Sequence, residues 1–194
     1  MRSTNLYNFM KRIFDIFISF TFIMIFILPM FIISLLIILF DGHNPIYFSK
    51  RIGKDNSIFL MPKFRTMKKN TPQVATHLFH NHNSITKFGR YLRKSSLDEL
   101  PQLFSILFGF MSIVGPRPAL FNQYDLIKLR KAKKIDKVLP GLTGLAQIKG
   151  RDINTIAKKV ELDHEYINKR SFLFDLIIIY KTFFIVLLPN NIKH

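Results

Sequence analysis

The sequence predicts an α+β fold that is mostly α, with a membrane helix at the N-terminus followed by one small domain. Three observations lead to this prediction. Residues 16–40 form an uncharged apolar run, residues 46–60 hold two short extended stretches, and the rest alternates helical segments with loops containing proline or glycine. Asn44-Pro45 ends the apolar region, which separates a membrane segment, residues 1–43, from a domain, residues 44–194.

The apolar run is long enough to cross a bilayer. At about 1.5 Å per residue it would extend over about 37 Å, against a hydrocarbon core of about 30 Å. Arg2, Lys11 and Arg12 against Asp15 give +2 before the run, and the whole chain carries +17. The positive-inside tendency therefore favours the same side for both ends. Pro29 would bend the helix, so a kinked spanning anchor and a re-entrant helix are both open at this point.

The composition indicates an anionic partner. The chain has 29 Lys and Arg against 12 Asp and Glu, and its sequence pI is about 10.2. Lipid headgroups, phosphate-bearing substrates and nucleic acid all carry the matching charge. The membrane segment favours lipid, and neither a recognisable nucleic-acid module nor interleaved aromatic and basic residues occurs, so we expect no nucleic-acid partner. The absence of cysteine excludes disulfides and thiolate metal sites.

The domain begins with extended stretches at residues 46–48 and 58–60, on either side of a turn at residues 53–57. A polar segment at residues 68–84 is predicted to be a mobile loop. It contains His77, His80 and His82, whose spacing fits no metal-ligand pattern and indicates a solvated loop. Residues 85–107 have helical character that we expect to be broken at Gly89 and Pro101.

The second half of the domain is predicted to contain three helices and two loops. The loops are residues 115–118, made rigid by two prolines, and residues 140–144. The helices are a basic one at residues 120–138, one at residues 158–168, and an apolar one at residues 172–188. The last carries Asp175 and Lys181, so we expect it to lie in the membrane interface as an amphipathic helix.

Asp98 and Glu99 are the candidate catalytic residues. One explanation is structural, because Ser96-x-x-Glu99 is a capping box and acidic residues in a first turn complement the helix dipole. The other is chemical. Adjacent carboxylates among basic residues stay ionised, and one can attack phosphorus while its neighbour helps to hold a divalent metal. Residue spacing alone leaves both open.

Several motifs together resemble one family. They are K-R-I-F-D at the start of the apolar helix, R-I-G-K, K-F-R-T-M, S-L-D-E-L-P-Q, V-G-P-R-P, P-G-L-T-G-L-A-Q-I-K-G-R and E-L-D-H-E-Y-I, and they cover residues 11–184 in the family's order. The chain is similar to the small monotopic phosphoglycosyl transferases, bacterial sugar transferases that start glycan assembly on a polyprenyl phosphate such as undecaprenyl phosphate. The pairing of S-L-D-E-L-P-Q with G-P-R-P is the most specific part of the resemblance.

The resemblance implies a site and a reaction. Asp98 would attack the β-phosphorus of a UDP-sugar and expel UMP, and the polyprenyl phosphate would then take the sugar phosphate from Asp98. Glu99 would contribute to binding of Mg²⁺. Arg93, Arg117 and Arg151 would contact phosphate or nucleotide, and guanidinium groups suit that role. Lys63 and Arg65 could bind phosphate or reach towards the membrane surface.

The resemblance also implies a topology. The family uses a proline-broken re-entrant helix, which would leave the catalytic domain on the cytoplasmic face of the bacterial inner membrane. This chain has Leu28 before Pro29, where the family often has serine, and Leu145 where an aromatic residue often follows G-L-T-G. Two other functions compete with the enzyme. They are a membrane-anchored nucleic-acid binder and a non-catalytic membrane-surface scaffold, for which Asp98→Asn would be silent.

Overall fold

The computed structural model describes residues 2–69, 71, 84–150 and 155–187. The helices in these residues are α1 Arg2–Asp41, α2 Lys87–Lys94, α3 Gln102–Leu107, α4 Tyr124–Ala132, α5 Leu145–Lys149, α6 Ile156–Lys169 and α7 Phe172–Leu187. The strands are β1 Ile46–Ile52, β2 Ile58–Phe64, β3 Ser112–Val114 and β4 Gly141–Thr143. The chain is thus mostly helical with a few short strands, as the sequence predicts.

Helix α1 contains the apolar run. It has 40 residues and is helical throughout, Pro29 included, because a proline can bend a helix without ending it. Among the described residues, α1 holds the single segment long and apolar enough to cross a membrane, Leu6–Asp41, and most of it is exposed. Side chains such as Phe17, Phe31 and Phe40 are at least 66% exposed, which no helix in a soluble core would show. The length, composition and exposure of α1 fit a membrane segment; whether α1 re-enters the same face stays a prediction.

The beginning of α1 is attached to the domain by polar contacts. Lys11 Nζ lies 2.7 Å from Asp175 Oδ2 of α7. Arg12 donates to the carbonyl oxygens of Ile106 and Leu107 at 2.7 and 2.8 Å, at the end of α3. These carbonyls lie in the last turn of α3, where the helix itself supplies no donors, although Gly109 N just beyond the helix also donates to the Ile106 carbonyl at 3.0 Å. Arg12 therefore caps α3 and fixes α1 to the domain.

Two of the three apolar clusters among the described residues include α1. Ile23 packs in the first cluster with residues from β2, α3, β3, α6 and α7. Met30, Ile33 and Ile37 pack in the second with Phe64 and Leu92. The middle and the end of α1 thus pack against different parts of one domain.

The first two strands form an antiparallel hairpin in a register that runs from Ile46 opposite Phe64 to Ile52 opposite Ile58. Alternate residues of β2 point to opposite sides, so Phe59 and Met61 are buried while Ile58 and Leu60 are exposed. The predicted extended stretches and their turn are confirmed, and both strands are longer than predicted.

Three sequence predictions were wrong. Gly89 does not break a helix but lies inside α2, where a Cβ would be 2.3 Å from the carbonyl oxygen of Thr66. The basic helix is shorter than predicted because it ends at Ala132, and Lys134 then adopts a left-handed conformation with φ of 57°. Part of the predicted loop at residues 140–144 is strand β4, which pairs in parallel with β3. The predicted helices at residues 158–168 and 172–188 are confirmed as α6 and α7.

Candidate active site

Asp98 and Glu99 lie in one turn of 3-10 helix, Leu97–Glu99, between α2 and α3. Ser96 precedes this turn in a left-handed conformation with φ of 57°, and its side chain makes no capping hydrogen bond. The capping box predicted for Ser96 and Glu99 is therefore not formed. Asp98 is 8% exposed, and a carboxylate as buried as this is normally paired with other groups.

Two cations hold Glu99 by the same oxygen. Lys63 Nζ of β2 lies 3.0 Å from Glu99 Oε1, and Arg117 Nη2 lies 2.6 Å from it. Burial alone would raise the pKa of Glu99, but the charges and hydrogen bonds of Arg117 and Lys63 outweigh burial and lower the pKa well below its ordinary value. Glu99 is therefore an ionised carboxylate near neutral pH.

Asp98 has the opposite environment. Burial raises its pKa and the neighbouring charge of Glu99 raises it further, while Lys63, Arg93 and Arg117 act to lower it without cancelling the increase. Adjacent carboxylates whose pKa values are pushed apart are typical of sites where the two groups have different roles. Glu99 is thus held in its charged form by two cations, whereas burial disfavours the charged form of Asp98.

Arg93 approaches Asp98 from the last turn of α2. Its Nε donates to Thr66 Oγ1 at 2.9 Å, which fixes the guanidinium beside the segment that follows β2. Burial lowers the pKa of Arg93, and the charge of Asp98 opposes this. The close packing of Gly89 on Thr66 brings α2 near enough for this contact.

Arg51 of β1 is a further cation at this site that the sequence analysis did not assign. Its Nε donates to Ser49 Oγ, and its Nη1 donates to the carbonyl oxygen of Pro118, both at 3.1 Å. Burial lowers the pKa of Arg51 to about 10, and the nearby charge of Arg117 adds to this while Glu99 opposes it. The matching R-I-G-K motif was the available signal for this residue.

Arg65 does not join this group. Its Nε donates to the carbonyl oxygen of Asn44 at 2.9 Å, and its guanidinium lies 5.7 Å from the centre of the Tyr47 ring. Arg65 thus contacts the junction between α1 and β1. Arg151 and the three histidines of the predicted mobile loop lie outside the described residues.

The site carries an excess of positive charge. Arg51, Lys63, Arg93 and Arg117 interact electrostatically with Asp98, Glu99 or both, so four cations face two carboxylates and the sum is +2. Such a site attracts anions, and three of the cations are arginines, whose planar donor groups match phosphate oxygens.

The same two carboxylates fit a magnesium ion. Among the described residues no group of three or more His, Cys, Asp or Glu residues could hold a metal alone. Magnesium does not require one, because it commonly binds through one or two carboxylates together with substrate phosphates and water. The raised pKa of Asp98 shows that the cations present do not fully stabilise its charge. The two carboxylates supply the oxygen donors that Mg²⁺ prefers, and the phosphates of a bound substrate would offset the positive excess of the site.

Comparisons with known proteins identify the family of this chain. The family profile described as "Bacterial sugar transferase" matches residues 6–189. Exopolysaccharide production protein ExoY of Sinorhizobium fredii (strain NBRC 101917 / NGR234) is 37% identical over 189 residues, which cover 89% of this chain and 83% of that protein.

Two longer relatives carry names that state an activity. Undecaprenyl-phosphate galactose phosphotransferase of Salmonella typhimurium is 36% identical over 201 residues, covering 93% of this chain and 41% of that protein. UDP-glucose:undecaprenyl-phosphate glucose-1-phosphate transferase of Escherichia coli (strain K12) is 38% identical over 184 residues, covering 90% of this chain and 39% of that protein. From the match over nearly its whole length, the chain belongs to the bacterial sugar transferase family.

Proposed function

We propose that this protein transfers a sugar 1-phosphate from a UDP-sugar to polyprenyl phosphate and releases UMP. The observation that carries the proposal is the buried Asp98 beside an ionised Glu99, within a cluster of lysine and arginine side chains. The names of the Salmonella and Escherichia relatives both include undecaprenyl phosphate and the transfer of a phosphate or sugar phosphate, which supports the same reaction class.

In the first step a carboxylate oxygen of Asp98 attacks the β-phosphorus of the UDP-sugar. A bond forms between this oxygen and phosphorus, and the bond from phosphorus to the oxygen that bridges the two phosphates breaks. UMP leaves with that bridging oxygen, and the sugar phosphate stays on Asp98 as an acyl phosphate. No proton has to move, provided that Asp98 is ionised when it attacks.

In the second step a phosphate oxygen of the polyprenyl phosphate attacks the same phosphorus. The bond from phosphorus to Asp98 breaks, which restores the carboxylate and yields polyprenyl diphosphate-sugar. Because a carboxylate is weakly basic, it leaves readily. Both steps bring anions together, so the reaction depends mainly on positioning and on neutralisation of charge.

The surrounding residues supply that neutralisation. Arg117 is 39% exposed and thus open to a ligand, while Lys63 is 16% exposed, and both already contact Glu99. In our proposal Arg117, Lys63 and Arg93 hold the phosphates of the donor, and Arg151 contacts the donor as the family resemblance implies. Glu99, with Asp98, would hold Mg²⁺, which when bound neutralises phosphate charge and orients the phosphates.

We also propose that α1 re-enters the face from which it came. The first turns of α1 contact the domain at Asp175 of α7, and Asp41 at its other end accepts a hydrogen bond from Thr86 at 3.0 Å. A straight helix from Lys11 to Asp41 would extend about 45 Å, further than a bilayer core is thick. Contacts of both ends with one domain favour a return to the same face. This places the domain on one membrane surface, which we assign to the cytoplasmic side of the inner membrane.

The test is UMP release by the purified full chain with Mg²⁺, polyprenyl phosphate and a panel of UDP-sugars. We expect acceptor-dependent release with at least one donor. Asp98→Asn should abolish it, whereas Asp125→Asn should retain it, because Asp125 is an exposed carboxylate in the first turn of α4. Equal release by Asp98→Asn and the wild type would contradict the proposal, and would support a membrane-surface scaffold carrying a contaminating activity.

A further inference from the structure

The two prolines of the loop Gly115-Pro116-Arg117-Pro118 have no N–H groups, so the loop has few donors of its own for its carbonyl oxygens. Those carbonyls need donors from other parts of the chain. One side of the loop is hydrogen-bonded to β4. Gly115 N donates to the carbonyl oxygen of Thr143 at 2.8 Å, and Gly141 N donates to the carbonyl oxygen of Pro116 at 2.9 Å. The carbonyls of Arg117 and Pro118 point elsewhere and are bound by arginine side chains.

Arg130 of α4 binds the carbonyl oxygen of Arg117 through Nη1 at 2.8 Å. Its other donors, Nε and Nη2, contact Asp163 Oδ2 of α6 at 3.0 and 2.6 Å. Arg130 is 8% exposed and Asp163 is 2% exposed. The planar guanidinium therefore joins a buried carboxylate on one side to the backbone of Arg117 on the other.

Packing between α4 and α6 does not by itself require this ion pair. Leu126, Ile135 and Val160 already form an apolar cluster there. Replacing a buried ion pair by apolar residues is often neutral or stabilising, because two charges must lose their hydration. What an apolar pair could not do is bind the carbonyl of Arg117.

We propose that Arg130 and Asp163 form a positioning pair for Arg117. They hold its main chain so that its guanidinium reaches Glu99 Oε1, at 2.6 Å, in the orientation that the phosphates of the donor require. Within the described residues neither member of the pair bonds to Asp98 or Glu99, so both act through Arg117. This inference rests on the proposed function, in which Arg117 binds donor phosphate.

The test is a double-mutant cycle on the rate of UMP release, measured with the full chain in excess over radiolabelled UDP-sugar so that slow variants can be followed. Asp163→Asn removes the charge of the pair but keeps its shape. Arg130→Lys keeps a cation for Asp163 but lacks the planar donor group that also reaches the Arg117 carbonyl. Each is made in the wild type and in Arg117→Ala. Glu161→Gln, an exposed carboxylate on α6, is the matched control.

In the wild-type background we expect Asp163→Asn and Arg130→Lys to lower kcat about 10-fold or more, with a smaller change in KM, since misplacement of a catalytic group by 1 Å can cost about 10²-fold. In Arg117→Ala either change should cost less than about twofold, because the group that it positions is already missing. Glu161→Gln should be neutral in both backgrounds.

Equal losses in both backgrounds would overturn the positioning role and leave the proposed function intact, because a general loss of folded protein does not depend on residue 117. If Asp163→Asn does not fold, Arg130→Lys decides the question in the same way. If the wild type releases no UMP with any donor, the proposed function fails, and this inference fails with it.

Discussion

Gly89→Ala tests whether the close approach of α2 to the segment after β2 sets the geometry of the site. Two effects oppose each other. Alanine is favoured over glycine in a helix interior by about 1 kcal/mol. A Cβ at residue 89, however, would lie 2.3 Å from the carbonyl oxygen of Thr66 and 2.7 Å from Thr86 Oγ1, where ordinary contacts are 3.4–4 Å. Because one of these atoms is backbone, α2 has to move away by about 1 Å.

The magnitude follows from these contacts. Overpacking costs about 1–3 kcal/mol, and displacement also threatens the cap in which Thr86 accepts a hydrogen bond from Gly89 N, which is worth about 1 kcal/mol. After the helix-propensity gain we expect a net loss of about 2 kcal/mol, or about 4–8 °C in Tm for a chain of this length. The same displacement moves Arg93 relative to Asp98, so UMP release should fall about 10-fold or more.

Thermal unfolding followed by circular dichroism in detergent, together with UMP release, measures both effects. Arg90→Ala is the control, because Arg90 is exposed on the same helix and should change stability by less than about 0.5 kcal/mol. A Tm for Gly89→Ala at or above that of the wild type would refute the reasoning, since it would mean that helix propensity outweighs the contact.

Three further outcomes are expected in the UMP-release assay. Lys63→Met should lower kcat about 10²-fold, because Lys63 is one of the two cations that contact Glu99 and, in our proposal, it also neutralises the charge of the reacting phosphates. A rate within threefold of the wild type would contradict that role. Arg93→Ala should lower kcat/KM at least about 10-fold while Arg90→Ala does not, and equal effects would show that general surface charge is responsible. Chelation by EDTA should lower release at least about 10-fold, and excess Mg²⁺ should restore it; full activity in EDTA would exclude the proposed metal.

Much of the fold could be predicted because long periodic segments carry a strong signal. Helix α1, the β1–β2 hairpin, α6 and α7 all follow from apolar patterning and from turn residues. Strands β3 and β4 have three residues each, too few for a period to be read. Gly89 was misread because a glycine that permits close packing and one that ends a helix look alike in sequence.

The sequence predicted most residues of the candidate site but not the contacts between them. Asp98 and Glu99 were found as neighbours in sequence, but Lys63 and Arg117 meet Glu99 from 36 and 18 positions away. Only the tertiary structure shows that these cations replace the capping contact that local sequence offers to Glu99. Arg51 was missed for the same reason, because its guanidinium binds a carbonyl 67 positions away.

The central claim is that Asp98 carries the sugar phosphate during turnover. Its most direct test is intact-protein mass spectrometry after incubation of the full chain with Mg²⁺ and the active UDP-sugar, without polyprenyl phosphate. The account predicts a mass increase equal to the mass of the UDP-sugar minus that of UMP, located on the peptide that contains Asp98, with one UMP released per adduct and loss of the adduct when acceptor is added. Acceptor-dependent turnover with no adduct, in a protein whose Asp98→Asn variant remains active, would contradict it.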